Sequence, residues 1–169
     1  LYIQQRDDTI EPGLSAWFGN EFNRKNTWFS QAPTFFNYLK RCNYMLQQGR
    51  YVADVAYFIG EDAPKMTGVC DPALPAGYSF DYINGEILSG HAKVVNGKLV
   101  LDSGMEYSLL VLPNQETMRP EMLEKIQKLV NDGLNILGPK PLRSPSLQNY
   151  PEADKKVAQI ADAMWTMTD

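Results

Sequence analysis

Val52–Ile59 is almost continuously apolar, interrupted only by Asp54. Such a run predicts a strand buried on both faces, as in a parallel sheet covered by helices. Ser108–Leu112, ending at Pro113, and Leu134–Leu137, ending at Gly138-Pro139, share this character. The three are expected to be parallel neighbours in one sheet. Between them the period changes. Phe35, Leu39, Cys42 and Leu46 fall at helical spacing. Ser30 is a candidate N-cap, Pro33 suits the first turn, and Gly49 suits a left-handed stop. Cys42 on that apolar face is expected to be a buried free thiol. A second helix opens at Pro120-Glu121, with apolar positions at Met122, Leu123, Ile126, Leu129 and Val130, and closes at Gly133. A third starts at Pro151 and aligns Val157, Ile160, Ala161, Met164 and Trp165.

Asp81–Ser89 reads as a short helix opened by Asp81, with Glu86 on its exposed side. Asn96-Gly97, between Ala92–Val95 and Lys98–Leu101, is a strong two-residue hairpin signal. The Pro- and Gly-rich stretch from Asp62 to Gly77 reads as a long loop, and Arg143–Asn149 as a shorter one. Alternating strands and helices imply an α/β fold: a three-layer parallel sheet with right-handed crossovers and a β-hairpin insertion. Residues 1–30 carry Trp17, Phe18, Phe22 and Trp28 without any helical or strand period. They read as an extended N-terminal arm from a preceding domain, and residues 31–169 as the α/β domain.

The 169 residues suit one domain. Hydrophobic residues make up 44%, which is enough for a core. Leu1 stands where an initiating Met would be, so the chain is read as a fragment. The net charge of −4 argues against nucleic acid or an anionic membrane as partner, since both need a basic patch. No apolar run approaches the roughly 20 residues needed to span a bilayer. Two cysteines, Cys42 and Cys70, make no disulfide framework, and no Cys/His spacing suits zinc. No metal and no cofactor are expected.

The sequence also lacks the usual signs of several chemistries. There is no glycine-rich phosphate loop, and the turn after Ile59 begins Gly60-Glu61-Asp62, whose carboxylates would repel phosphate. His91, the one histidine, has no recognisable partner in sequence. Of the carboxylate pairs, Asp81/Glu86 reads as helix-terminal. Glu61/Asp62 follows the carboxyl end of a predicted parallel strand, where α/β domains place ligands. Glu61 and Asp62 are therefore candidate substrate-binding residues.

Phe22-Asn23-Arg24-Lys25-Asn26-Thr27-Trp28, the helix ending at Gly49 and the strand closing on Glu61-Asp62 together resemble the end of the catalytic region of α-L-rhamnosidase-like glycoside hydrolases of family 106, and the α/β domain after it. The likeness runs from about Glu11 to Trp165. In that family the first segment closes the barrel near the sugar pocket. Phe22-Asn23-Arg24 and Thr27-Trp28 match it, while Glu21 replaces a His and Phe29 a second Trp. The resemblance implies that Asn23, Arg24, Thr27 and Trp28 contact sugar, with Asn and Arg bonding hydroxyls and Trp stacking. A second reading has Trp28 and Phe29 forming a staple against Phe35 and Phe36. No residue matches the family's barrel carboxylates, so no catalytic residue is assigned and the chain alone is expected to be inactive.

Leu109–Asn114 and Asp132–Gly138 also look like the amidotransferase-like domain after the barrel of some β-galactosidases. This implies a flavodoxin-like or class I glutamine amidotransferase-like arrangement. The turn Pro113–Met118 has no nucleophile elbow, so the domain is read as silent for that chemistry. The resemblances together imply an accessory domain of a rhamnosidase-like glycoside hydrolase. It would meet carbohydrate through the full-length enzyme, support a catalytic barrel not present in this chain, and be secreted or periplasmic in the longer protein. The competing expectation is a non-catalytic interaction or oligomerisation module, with a homo-oligomer as partner.

Overall fold

The computed structural model describes Arg24, residues 26–61 and residues 70–165. These residues belong to two compact units that divide between Gly49 and Arg50. The expectations for the arm before Arg24 lie outside the described residues.

In the first unit a 3-10 turn, Phe29–Gln31, leads into α1, Ala32–Leu46. Phe29 N–H donates to Asn26 O at 3.0 Å and Gln31 N–H to Trp28 O at 2.9 Å. Ser30 is therefore held inside this turn and does not cap the helix. Gln31 takes the cap position without a side-chain bond. Pro33 sits in the first turn, and Gly49 has φ +86°. The apolar stripe did not produce burial. Ala32 is the buried residue of α1, Phe35 and Phe36 are 43% and 45% exposed, and Leu46 is 83% exposed. Cys42 is half-buried rather than buried.

The second unit is α/β. Its parallel sheet contains β1 (Val55–Phe58), β2 (Phe80–Ile83), β6 (Leu109–Val111) and β7 (Asn135–Leu137). The order is β2-β1-β6-β7 and every pairing is parallel. The three apolar runs are thus neighbours as expected, with β2 added at one edge. A separate antiparallel sheet joins β3 (Ala92–Val95), β4 (Lys98–Leu101) and β5 (Glu106–Tyr107) in that order. The helices are α2 (Gly85–Gly90), α3 (Pro120–Asn131) and α4 (Glu152–Trp165).

Alternation along the strands divides the core. Ala56, Phe58, Leu110 and Leu112 join Leu88 of α2, four residues of α3 and four of α4 in one cluster. The α3 residues are Met122, Leu123, Ile126 and Leu129, the helical stripe read from sequence. Each such side chain, fully buried, contributes roughly 1.5–3 kcal/mol from removal of apolar surface from water. On the other face, Val55, Tyr57 and Val111 are buried, with Phe80, Tyr82, Leu74 and Cys70 packed around them. Tyr57 and Phe80 meet edge-on at 5.3 Å between ring centroids, as do Phe80 and Tyr82. Tyr57 donates its hydroxyl to Pro72 O at 2.6 Å, tying a loop to this face.

Asp81 corrects the reading of Asp81–Ser89 as one helix. It lies on β2, opposite Ala56. Phe80–Ile83 gains a ladder against β1, and the helix begins later because Asn84 is the better cap. Its side-chain oxygen accepts from Ile87 N–H at 2.9 Å. Glu86 is exposed in the first turn, as expected. The Asn96-Gly97 hairpin forms with the expected strands, and both turn residues have positive φ, +52° and +76°. β5 was missed because two residues carry no readable period. Tyr107 nevertheless pairs with Leu99 and is buried. Lys125 of α3 donates to Ala92 O at 2.9 Å, fastening β3 to α3. Burial lowers the Lys125 pKa below its ordinary value.

Candidate functional site

Of the six substrate-binding candidates, Asn23 and Asp62 lie outside the described residues. Arg24, Thr27 and Trp28 belong to the first unit, where Trp28 is the residue before the 3-10 turn. Arg24 and Thr27 are exposed, and Trp28 is half-buried. Phe35 and Phe36 stand with ring centroids 6.0 Å apart at a tilt of 48°. The segment therefore places a guanidinium, a hydroxyl and an indole within five residues, at the entrance to a helix with several exposed apolar side chains. Such a set can bond hydroxyls and stack on a sugar ring.

Glu61 belongs to the second unit, three residues past the end of β1. Its side chain is only 12% exposed. One carboxylate oxygen accepts the backbone N–H of Arg119 at 2.8 Å, and the other pairs with Arg119 Nε. Arg119 is the residue before α3 and makes no side-chain cap of its own. Glu61 thus supplies the missing acceptor at the start of that helix, where a negative charge also meets the favourable end of the helix dipole. The strand-end position read from sequence holds. The carboxylate there is already engaged by the protein.

Two further polar pairs were hidden in the sequence. Tyr107 donates its hydroxyl to Asp81 Oδ2 at 3.0 Å. Burial, reinforced by the Asp81 carboxylate, pushes the Tyr107 pKa above the ordinary tyrosine range. His91 Nδ1 lies 2.9 Å from Asp102 Oδ2. The partner that sequence reading did not find for His91 follows from hairpin register. Ala92 pairs with Leu101, so the next pair outward sets His91 opposite Asp102. The Asn96-Gly97 turn was signal enough to find it. Both side chains are more than half exposed. Among the described residues no group of three or more His, Cys, Asp or Glu is placed to hold a metal ion.

The protein family described as alpha-L-rhamnosidase, glycoside hydrolase family 106, matches residues 1–169. A protein of Formosa agariphila named "Putative beta-glucuronidase" is 40% identical over 165 residues, which are 97% of this chain and 14% of that protein. A solved structure of a rhamnosidase from Novosphingobium sp. PP1Y superposes with a TM-score of 0.72 at 32% identity. That match takes in 90% of this chain and 15% of the other. The chain thus spans about one seventh of the length of either relative.

Proposed function

The chain belongs to the α-L-rhamnosidase family, glycoside hydrolase family 106, and from that premise we propose that it is an accessory region of a larger rhamnosidase-like glycoside hydrolase. It helps to build or buttress the sugar pocket of a catalytic barrel outside these 169 residues. The observation that carries this reading is the set of exposed apolar side chains on α1. A 15-residue helix bearing Phe35, Phe36, Tyr44, Met45 and Leu46 leaves all five exposed. Large apolar side chains left exposed on several sides of one helix mark a surface in want of cover. The two relatives are far longer than this chain, which supports covering of that surface by more of the same enzyme. Arg24, Thr27 and Trp28, just before α1, then lie at the junction, next to the sugar pocket. Asn23 belongs to the same group.

The sheet order β2-β1-β6-β7 supports the finer fold reading, a three-layer flavodoxin-like or class I glutamine amidotransferase-like domain. In such folds the chain leaves the first strand toward one neighbour and later returns to the other side. In this proposal residues 1–30 are the end of the barrel's own chain, and the second unit is a support with no catalytic residue. On this reading the longer protein meets carbohydrate and is secreted or periplasmic. A homo-oligomerisation module is the second reading, favoured by the same exposed α1 side chains.

Activity on aryl α-L-rhamnoside and aryl β-glucuronide decides the matter. It is to be measured for this chain and for the longer gene product, with and without Phe35→Ser and Phe36→Ser. The reading expects no turnover by the 169-residue chain, and at least a tenfold loss in the doubly substituted longer enzyme. Turnover by the short chain, or full activity of the double variant, overturns it. Self-association of the short chain, abolished by the same substitutions, would favour the oligomer reading.

A further inference from the structure

A pocket of about 550 Å³ opens beside the carboxyl ends of β1 and β2. Its apolar lining comes from Ile59, Ile83, Ile87 and Leu101. His91, Asp102 and Ser103, from the base of the hairpin, supply polar groups together with Asn84 and Tyr82. The volume lies within the range of small-molecule sites, and an apolar wall with a few convergent polar groups is the usual composition of one. The position fits the general rule that α/β sheets take ligands beyond the carboxyl ends of their strands. None of these nine residues was among the candidates read from sequence.

The geometry points to a non-catalytic binding site for a neutral 6-deoxyhexose unit, a sugar with one methyl group and one edge of hydroxyls. The inference rests on the reading of the chain as part of a carbohydrate enzyme. The aliphatic wall suits the methyl group and the C–H face of the ring, because burying apolar surface is favourable there and burying a hydroxyl without a partner is costly. Asp102 and Ser103 suit the hydroxyl edge. Asp102 is held by His91 at 2.9 Å, which fixes the carboxylate while leaving oxygen lone pairs to accept from hydroxyls. The same pair selects against a uronic acid. Among the described residues that line the pocket there is no Lys or Arg. Asp102 already places a carboxylate at the pocket, so the carboxylate of a uronic acid would meet a like charge there. Of the two sugars that the relatives' names carry, the site takes the rhamnose type.

The test is a two-dimensional amide NMR titration of the protein with L-rhamnose, with sodium D-glucuronate at matched ionic strength, and with L-mannose, which differs from L-rhamnose only in keeping its C6 hydroxyl. The expected result is saturable shifts at Ile83, Ile87, Leu101 and Ser103 with L-rhamnose. The Kd should be on the order of 1 mM, as for a solvent-open site making few hydrogen bonds. L-mannose should bind several-fold more weakly, and glucuronate should leave these amides unmoved. Asp102→Ala should weaken L-rhamnose at least fivefold while leaving the remaining spectrum in place, since this exposed side chain is not part of the core. Ser103→Ala provides a second variant with the same expectation. Absence of saturable shifts with L-rhamnose, shifts confined to residues outside the pocket, or glucuronate binding as tightly as rhamnose would overturn the proposal. These outcomes leave the accessory reading intact, because that reading is judged separately by the activity of the longer enzyme carrying Phe35→Ser and Phe36→Ser.

Discussion

Glu61 and Arg119 are 58 residues apart in sequence, and the carboxylate of the first takes both the backbone N–H and the Nε of the second. The pair fixes where β1 stops relative to where α3 starts. The contact therefore ties the loop after β1 to the first turn of α3. Sequence reading singled out Glu61 for its place after an apolar strand. The physics of that place, a helix start in need of an acceptor, accounts for where its charge goes.

Removal of this acceptor should be measurable. Glu61→Ala leaves the Arg119 N–H without its protein partner and is expected to cost about 1–2 kcal/mol, the usual effect of losing a cap with some added charge. The Arg119 side chain is 56% exposed, so its share of the ion pair is small. Glu61→Gln keeps an acceptor and should cost less than half as much. Urea unfolding of the two variants gives the comparison. Equal losses for both would mean that charge, not the backbone bond, dominates.

Alkaline pH should unfold this protein through its tyrosines. Burial raises the pKa of Tyr107, with Asp81 adding to the effect, and burial also raises that of Tyr57. The folded state therefore keeps two protons that the unfolded chain releases once pH passes the ordinary value of 10.0. Stability should be level with respect to these groups below that pH and fall above it. Tyr107→Phe should flatten the fall. At neutral pH it should cost about 1–2 kcal/mol, because the half-buried Asp81 carboxylate loses a donor but is partly rehydrated. Denaturant midpoints measured from pH 8 to 11 test both statements.

The sequence showed most of the sheet and little of what lies between its elements. Val55 and Val111 are 4% and 1% exposed, as unbroken apolar runs require. Met122, Leu123, Ile126 and Leu129 face the core because their helical spacing admits one solution. Asp81 was misplaced because Phe80–Ile83 is too short to show a strand period beside a strong acidic helix-start signal. The stripe on α1 was read correctly as a stripe. Its exposure could not be read, because amphipathicity reports that a face wants cover and not which segment provides it. His91–Asp102 could have been found by counting outward from Asn96-Gly97. Glu61–Arg119 could not, since no local rule links the two positions.

If the core is as described, Leu110 and Leu147 should respond very differently to truncation. Leu110 is fully buried at the centre of the sheet, and Leu147 is 83% exposed in the loop before α4. Leu110→Ala is expected to cost 2–5 kcal/mol, as large-to-small core substitutions do. Leu147→Ala should stay within about 0.5 kcal/mol of the parent, as surface substitutions do. Thermal or chemical unfolding distinguishes them. A loss above 2 kcal/mol at Leu147 would reveal cover that the described residues do not supply.

Gly138 gives the sharpest test of the sheet's packing. It follows β7 with φ +155°, and a Cβ there would stand 2.7 Å from Leu112 Cβ and 3.1 Å from Leu112 O. Leu112 cannot retreat easily, because its N–H is bonded to Leu137 O at 2.8 Å and its side chain sits in the main core. The carbonyl of Gly138 is also held, by Trp165 Nε1 at 3.2 Å. Gly138→Ala is therefore expected to cost at least 1–3 kcal/mol, from overpacking and from backbone strain together. Gly90→Ala is the control. It ends α2 without a positive φ, and its Cβ would meet nothing within 4 Å, so it should be neutral or stabilise by up to about 1 kcal/mol. The clash at Gly138 is with a Cβ and a backbone oxygen, which alanine at position 112 would retain. Adding Leu112→Ala should consequently deepen the loss. Partial rescue by that second substitution would mean that the outer leucine atoms, and not the close approach of β6 and β7, make glycine necessary at this position.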